Sequence, residues 1–228
     1  MIPVVAGVSA VAFFSACGRS PSSDLEAYRS GYPGQRDDLS LSSNQQFFSG
    51  KLRSSPDDVT IDEMLDWKGD YRRLEFLHGY IQWLFPIRER GVNWDAQPLQ
   101  AHEITVMKAD PAIVERATRG FEMMLDFYGF ALDRSSSTIS RAPKYENQFY
   151  NLNTSGHNYL RITRILKFLG EMGLEPYKIA WLNAFYHEIY ETKALRPCQS
   201  SFENYWIGTI YDDEIRQRMF QSVAAARK

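Results

Sequence analysis

The residues in this chain whose types and spacing could do chemistry are few and scattered. His187 and Glu191 bracket His187-Glu188-Ile189-Tyr190-Glu191, and positions four apart share one face of a helix, where a histidine beside a carboxylate can begin a metal site. Zinc needs at least three ligands, and neither this motif nor His102-Glu103 has a third at ligand spacing. A polar helix face is the expectation there, and no metal is assigned. No strand-Ser-helix elbow or Cys/His pairing marks a nucleophile, and no glycine-rich loop offers a phosphate cradle. Asp37-Asp38, Asp57-Asp58 and Asp212-Asp213 read as turn or surface carboxylates. A non-enzymatic protein without a cofactor is therefore expected.

Binding residues are easier to find than catalytic ones. They lie in two dense apolar and basic segments, HGYIQWLFPIRERGVNW from His78 to Trp94 and HNYLRITRILKFLGEMG from His157 to Gly173. The first carries His78, Gln82, Trp83, Asn93 and Trp94; the second carries His157, Asn158 and the row Arg161, Arg164, Lys167. A polar group buried on an apolar helix without a partner costs about 1–3 kcal/mol. These side chains must therefore tie the two segments together, the plainer reading, or face a ligand. The basic row could hold phosphate, anionic lipid or nucleic acid, extended by Arg72-Arg73, Arg88 and Arg90. Its plainer reading is a solvated face, or ion pairs with Glu146, Glu171 and Glu175.

Helices must position nearly all of these residues. A short one is expected around Ile61 to Trp67, and a longer one from Asp70 to Phe85, where Pro86 stops it. Another should run from Pro98 to Lys108. Asp110-Pro111 opens a helix to Tyr128 and Gly129 closes it. Ala131 to Ala142 reads as a polar surface loop and Tyr145 to Leu152 as a short helix. Ser155 or Asn153 is the expected cap of a helix from His157 to Leu169. Glu175-Pro176 opens one through Glu191, and a last helical region starts at Ser200. No alternating run is long enough for a sheet, so the expected fold is all-α, a single-domain bundle of about six to eight helices.

With 228 residues, 44% of them hydrophobic, the chain can bury one substantial core. A net charge of -2 supplies no global basic field, which disfavours a nucleic-acid partner. Cys17 and Cys198 cannot form a disulfide framework for a chain of this size; Cys198 is expected to be a free thiol near a loop. Residues 1–17, MIPVVAGVSAVAFFSAC, are uncharged and apolar, and suggest a leader, membrane anchor or partner-packed segment. They favour membrane association, with a cytoplasmic or nuclear location as the alternative. Residues 18–43 are rich in Ser, Gly, Pro and Asp and read as a flexible arm, 44–222 as the helical domain, and 223–228 as a tail.

Several stretches carry a family resemblance. Asn44-Gln45-Gln46-Phe47-Phe48 with Lys51-Leu52, Gly69-Asp70-Tyr71 with Leu74-Glu75, and the run from His78 to Pro86 are three of them. Asn93-Trp94 with Ala96, Met123-Met124-Leu125 with Phe127 and Gly129, and the run from His157 to Lys167 continue the order. Together they resemble the N-terminal conserved domain of the opioid growth factor receptor family. The resemblance implies a helical domain unrelated to the seven-helix opioid receptors. In vertebrate members it implies a protein that binds the pentapeptide Met-enkephalin and restrains cell proliferation, near and within the nucleus. A peptide or protein partner is therefore expected, in a ligand-binding or scaffolding role; a subunit of a larger complex is the alternative. The resemblance assigns no ligand-binding residue. A peptide amine would need a carboxylate such as Glu122 or Asp126, and its aromatic rings a pocket near Trp83 or Trp94.

Overall fold

Local capping chemistry sets several helix boundaries in the computed structural model, which describes residues 21–227. The order is α1 (Pro21–Arg29), α2 (Ser43–Phe48), α3 (Ile61–Leu65), α4 (Tyr71–Phe76), α5 (Tyr80–Leu84), α6 (Ala101–Ala109), α7 (Pro111–Phe127), a hairpin of β1 (Phe130–Asp133) and β2 (Thr138–Arg141), α8 (Glu146–Thr154), α9 (His157–Glu171) and α10 (Glu175–Tyr186). A π-helical turn at His187–Glu191 prolongs α10. The chain then passes through α11 (Gln199–Ser201), a π-helical turn at Phe202–Trp206 and a 3-10 turn at Ile207–Thr209, and α12 (Asp213–Ala226) follows. The molecule is predominantly helical and forms a single domain.

Thr60 and Glu63 close a reciprocal capping box at α3, and the Asp110 carboxylate accepts from the Ala112 amide ahead of Pro111 at α7. Gly129, at φ 82°, ends α7 where a side chain would be strained, and a Cβ there would lie 2.9 Å from the Phe149 ring. The core is aromatic: Trp181 packs edge-on against Phe121 at 5.4 Å, and Trp206 meets Phe185 at 4.6 Å. α9 runs through it, with Ile162, Ile165, Leu166, Phe168 and Leu169 fully buried.

Five expectations are corrected. The polar segment from Ala131 to Ala142 forms a small antiparallel hairpin with Phe130 opposite Arg141, because inward Phe130 and half-buried Leu132 and Ile139 give it one packed face. The helix expected from Asp70 to Phe85 is two, broken at Leu77-His78-Gly79, where Leu77 turns extended. α9 begins after Gly156 with no side-chain cap; Asn153 instead donates to the Ala194 carbonyl and Ser155 bonds Asn151. The last helical region is divided by an extended turn at Ile210, and α12 restarts on an Asp212 cap. The helices are accordingly shorter and more numerous than expected.

The fifth correction concerns the arm. Its residues 21–43 are docked, not free: Tyr28 is fully buried, stacked on Tyr211 at 4.9 Å, and donates to the Lys167 carbonyl at 3.0 Å. Asp37 accepts from the Ala101 and His102 amides at the start of α6, which holds its carboxyl below the usual range against the opposing effect of burial. Leu25, Tyr28 and Tyr32 fall at helical spacing on the buried side, three anchors in a stretch otherwise of turn residues. The apolar run 1–17 lies outside the described residues; no described helix is long and apolar enough to cross a membrane.

Candidate functional site

The two candidate segments meet. α5 and the loop after it form one wall of a cleft of about 320 Å³, and α9 forms the other. At one end the His78 and His157 rings lie 5.7 Å apart. His157 Nε2 sits 3.0 Å from Glu75, which also accepts from Asn151 and Asn158. Burial, with the nearby Arg161 charge and the His78 ring adding to it, lowers the His157 pKa against the pull of Glu75. Burial alone would raise Glu75, but its hydrogen bonds and cationic neighbours bring it below the ordinary value.

The basic row is not the solvated face that its spacing suggests. Arg161 is buried and donates to the carbonyls of Leu74, Glu75 and Leu77 at 2.8, 3.2 and 2.8 Å, closing the C-terminal end of α4. Lys167, also buried, is 2.5 Å from Glu89 Oε1, the oxygen that also accepts from the Tyr32 hydroxyl at 2.9 Å. Its partner is therefore Glu89, a residue of the other segment, rather than Glu146, Glu171 or Glu175. Arg164 uses Nε on the Phe85 carbonyl at 2.9 Å, and burial pulls its pKa down to about 10. Neither of its terminal amino groups makes a hydrogen bond among the described residues, and the side chain lines the cleft.

The other candidates divide between tying and exposure. Gln82 is buried on the cleft wall, and the orientation of its amide that satisfies its neighbours turns the nitrogen to the His78 and Gly79 carbonyls at 3.1 and 3.2 Å. Trp83 and Asn93 both donate to the Ser55 carbonyl at 2.9 Å, and Asn93 also reaches Gly79. Asn158 is buried behind Glu75. Trp94 is 75% exposed with Arg90 over its ring, and it is not among the cleft residues. Of the extending arginines, Arg88 pairs with Asp37 and Arg73 with Asp70.

Sequence reasoning missed Ile81, Ile87, Glu89, Gly91, Val92 and Leu160 as lining residues. The apolar ones were indistinguishable from core positions. Gly91 carries a steric signal visible only in three dimensions, since a Cβ there would stand 2.6 Å from Gln82 Cγ. The two carboxylates expected for a peptide amine are engaged elsewhere: Glu122 with Arg134 at 2.6 Å, and Asp126 with the Tyr71 hydroxyl at 2.9 Å.

A larger groove of about 610 Å³ runs between β2 and α10. Arg141 pairs there with the buried Glu188, and His187 lies 2.6 Å from Glu191. No cluster of three or more metal-ligating side chains occurs among the described residues. The Cys198 thiol is fully buried, and burial pushes its pKa up to about 12, which suppresses the thiolate.

Fold and cleft together define a single-domain helical protein with a partly apolar, positively charged cleft between two sequence-distant segments. Residues 37–227 match the family model described as the opioid growth factor receptor conserved region. The chain is 41% identical over 202 residues to opioid growth factor receptor-like protein 1 of Xenopus tropicalis, covering 87% of this chain and 40% of that protein. It is 42% identical over 188 residues to the opioid growth factor receptor of Homo sapiens, covering 81% of this chain and 28% of that protein. The chain belongs to the opioid growth factor receptor family. Its matched part spans less than half the length of these relatives. No solved structure matches it.

Proposed function

We propose that this chain is a non-enzymatic, receptor-like binding module whose ligand is a peptide or a segment of a protein partner, received in the cleft between α5 and α9. The observation that carries the reading is the cleft's composition. Apolar Ile81, Ile87, Val92 and Leu160 stand beside Arg161, Arg164 and Lys167, with Glu89 the single carboxylate in the lining. Apolar surface with a small number of convergent polar groups is the usual make-up of a ligand site, and about 300–1,000 Å³ its usual size. The names of the relatives, receptors for a growth factor, are in keeping with a peptide or protein ligand.

A titration with Met-enkephalin, the peptide the family resemblance implies, should raise the melting temperature and shift the amide resonances of residues 78–92 and 157–167. A ligand at about 100 times its dissociation constant adds about 2.7 kcal/mol to stability. An unchanged melting temperature at millimolar peptide would remove that peptide as the ligand. Membrane association through residues 1–17 belongs to the same proposal, and co-flotation of the full chain with vesicles, lost on deleting those residues, is its expected signature.

A further inference from the structure

Of the five side chains in the cleft that can carry positive charge, four place a ring nitrogen or a terminal amino group on a partner. Arg161 holds the carbonyls at the end of α4, and Lys167 holds Glu89. His78 lies 2.9 Å from the Phe76 carbonyl, and His157 lies 3.0 Å from Glu75. Arg164 is the exception. Its Nε fixes the guanidinium on the Phe85 carbonyl, and this leaves the terminal amino groups as a fork opening on the cleft.

Arg164 is a half-buried cation whose terminal donors are unengaged and whose charge Glu89 offsets from nearby without a hydrogen bond, so a planar anion can still pair with its fork. Guanidinium and carboxylate match through two parallel hydrogen bonds, and the pairing is stronger away from water. The cleft is small, near the lower end of ligand-site volumes at about 320 Å³, so it admits one or two residues rather than an entire peptide. The same lining includes the apolar side chains of Ile81, Ile87 and Leu160. A single residue that brings a carboxylate and an apolar side chain from the same Cα is the last residue of a chain.

We propose, on the basis that the cleft is the ligand site, that it takes the C-terminal residue of a peptide, with the free carboxylate on the Arg164 fork and an apolar side chain against Ile81, Ile87 and Leu160. Glu89, with Oε1 occupied by Lys167 and Tyr32, offers Oε2 as an acceptor for a ligand amide.

The test is selection on the full chain from two matched libraries of random hexapeptides, one with free C-terminal carboxylates and one C-terminally amidated. The expected result is enrichment from the free-acid library alone, of sequences ending in an apolar residue. An individual winner should bind about tenfold or more tightly as the acid than as its amide, the size of a hydrogen-bonded charge pair. Equal enrichment from both libraries would overturn the carboxylate anchor and leave the cleft as a peptide site. No enrichment from either would overturn both. In Arg164→Gln the preference of acid over amide should vanish, and its persistence would also overturn the assignment. Should that variant fail to fold, the acid-to-amide ratio on the unaltered chain decides by itself.

Discussion

Arg161 Nη2 lies 2.8 Å from the Leu77 carbonyl, across 84 residues of sequence, and this contact ties α9 to the end of α4. α4 ends where Leu77 leaves the helical region, and carbonyls freed by a helix end need donors. A buried arginine supplies them from the neighbouring helix while its guanidinium lies over the Tyr80 ring, 5.7 Å from the centroid.

Replacing Arg161 by leucine removes its donors from the carbonyls of Leu74, Glu75 and Leu77, of which Leu74 keeps the Tyr80 hydroxyl at 3.0 Å. We expect a loss of about 3–5 kcal/mol, at the level of a broken buried charge network, visible as a lower urea midpoint with an unchanged slope. Arg161→Lys should recover only part of it, because a single ammonium cannot span three carbonyls in fixed directions. Recovery in full would mean that charge alone matters at this site.

Glu103 is fully buried and accepts from the amides of Asn44, Gln45 and Gln100 and from the side chains of Asn44 and Gln97. Glu103→Gln keeps the shape but turns a donor toward donors. The expected cost is about 2–4 kcal/mol, large for an isosteric change, since hydrogen bonds to a charged group are worth about 1.5–3 kcal/mol each. A change below about 0.5 kcal/mol, the usual scatter of surface substitutions, would sink this account of the site.

Gly170 lies under α1, and a Cβ there would overlap the Tyr28 hydroxyl and come within 2.6 Å of Tyr211. Gly170→Ala should lower stability by about 1–3 kcal/mol, as overpacking does, and expose residues 21–43 to limited proteolysis before the rest of the chain. Adding Tyr28→Phe removes one of the clashing atoms and should return part of the loss. Cleavage no faster than in the parent would show that α1 is not held through this contact.

Burial raises the pKa of Glu171 to about 7, with Arg88 and Lys178 opposing. The unfolded value is about 4.3, so the native state binds more protons than the unfolded chain between the two and stability falls as pH rises through that window. In Glu171→Gln this slope should flatten, and at pH 8 the variant should be about 1–2 kcal/mol more stable than the parent. Urea midpoints at pH 5 and pH 8 measure it, and a parent that gains stability over that range would contradict the assignment.

The sequence by itself determined the helical class, the family and the helices that carry their own signals. α7 is bounded by Asp110-Pro111 and Gly129, and α10 opens on Glu175-Pro176, because caps and breakers act over three or four residues and need no distant partner. Of the ten candidate residues, His78, Gln82, His157, Arg161, Arg164 and Lys167 line one cleft, Trp83, Asn93 and Asn158 bond elsewhere, and Trp94 stands apart on the surface.

What the tertiary structure alone decided is which partner each of them found. Arg161, Arg164 and Lys167 look equivalent at a spacing of three, yet one closes a helix end, one is left with an open fork and one is neutralised by Glu89. The same holds for α1, docked by Leu25, Tyr28 and Tyr32 in a stretch with the composition of a linker. Burial and pairing are set by residues far away in the chain, and periodicity reports the face of a helix without reporting what lies opposite it.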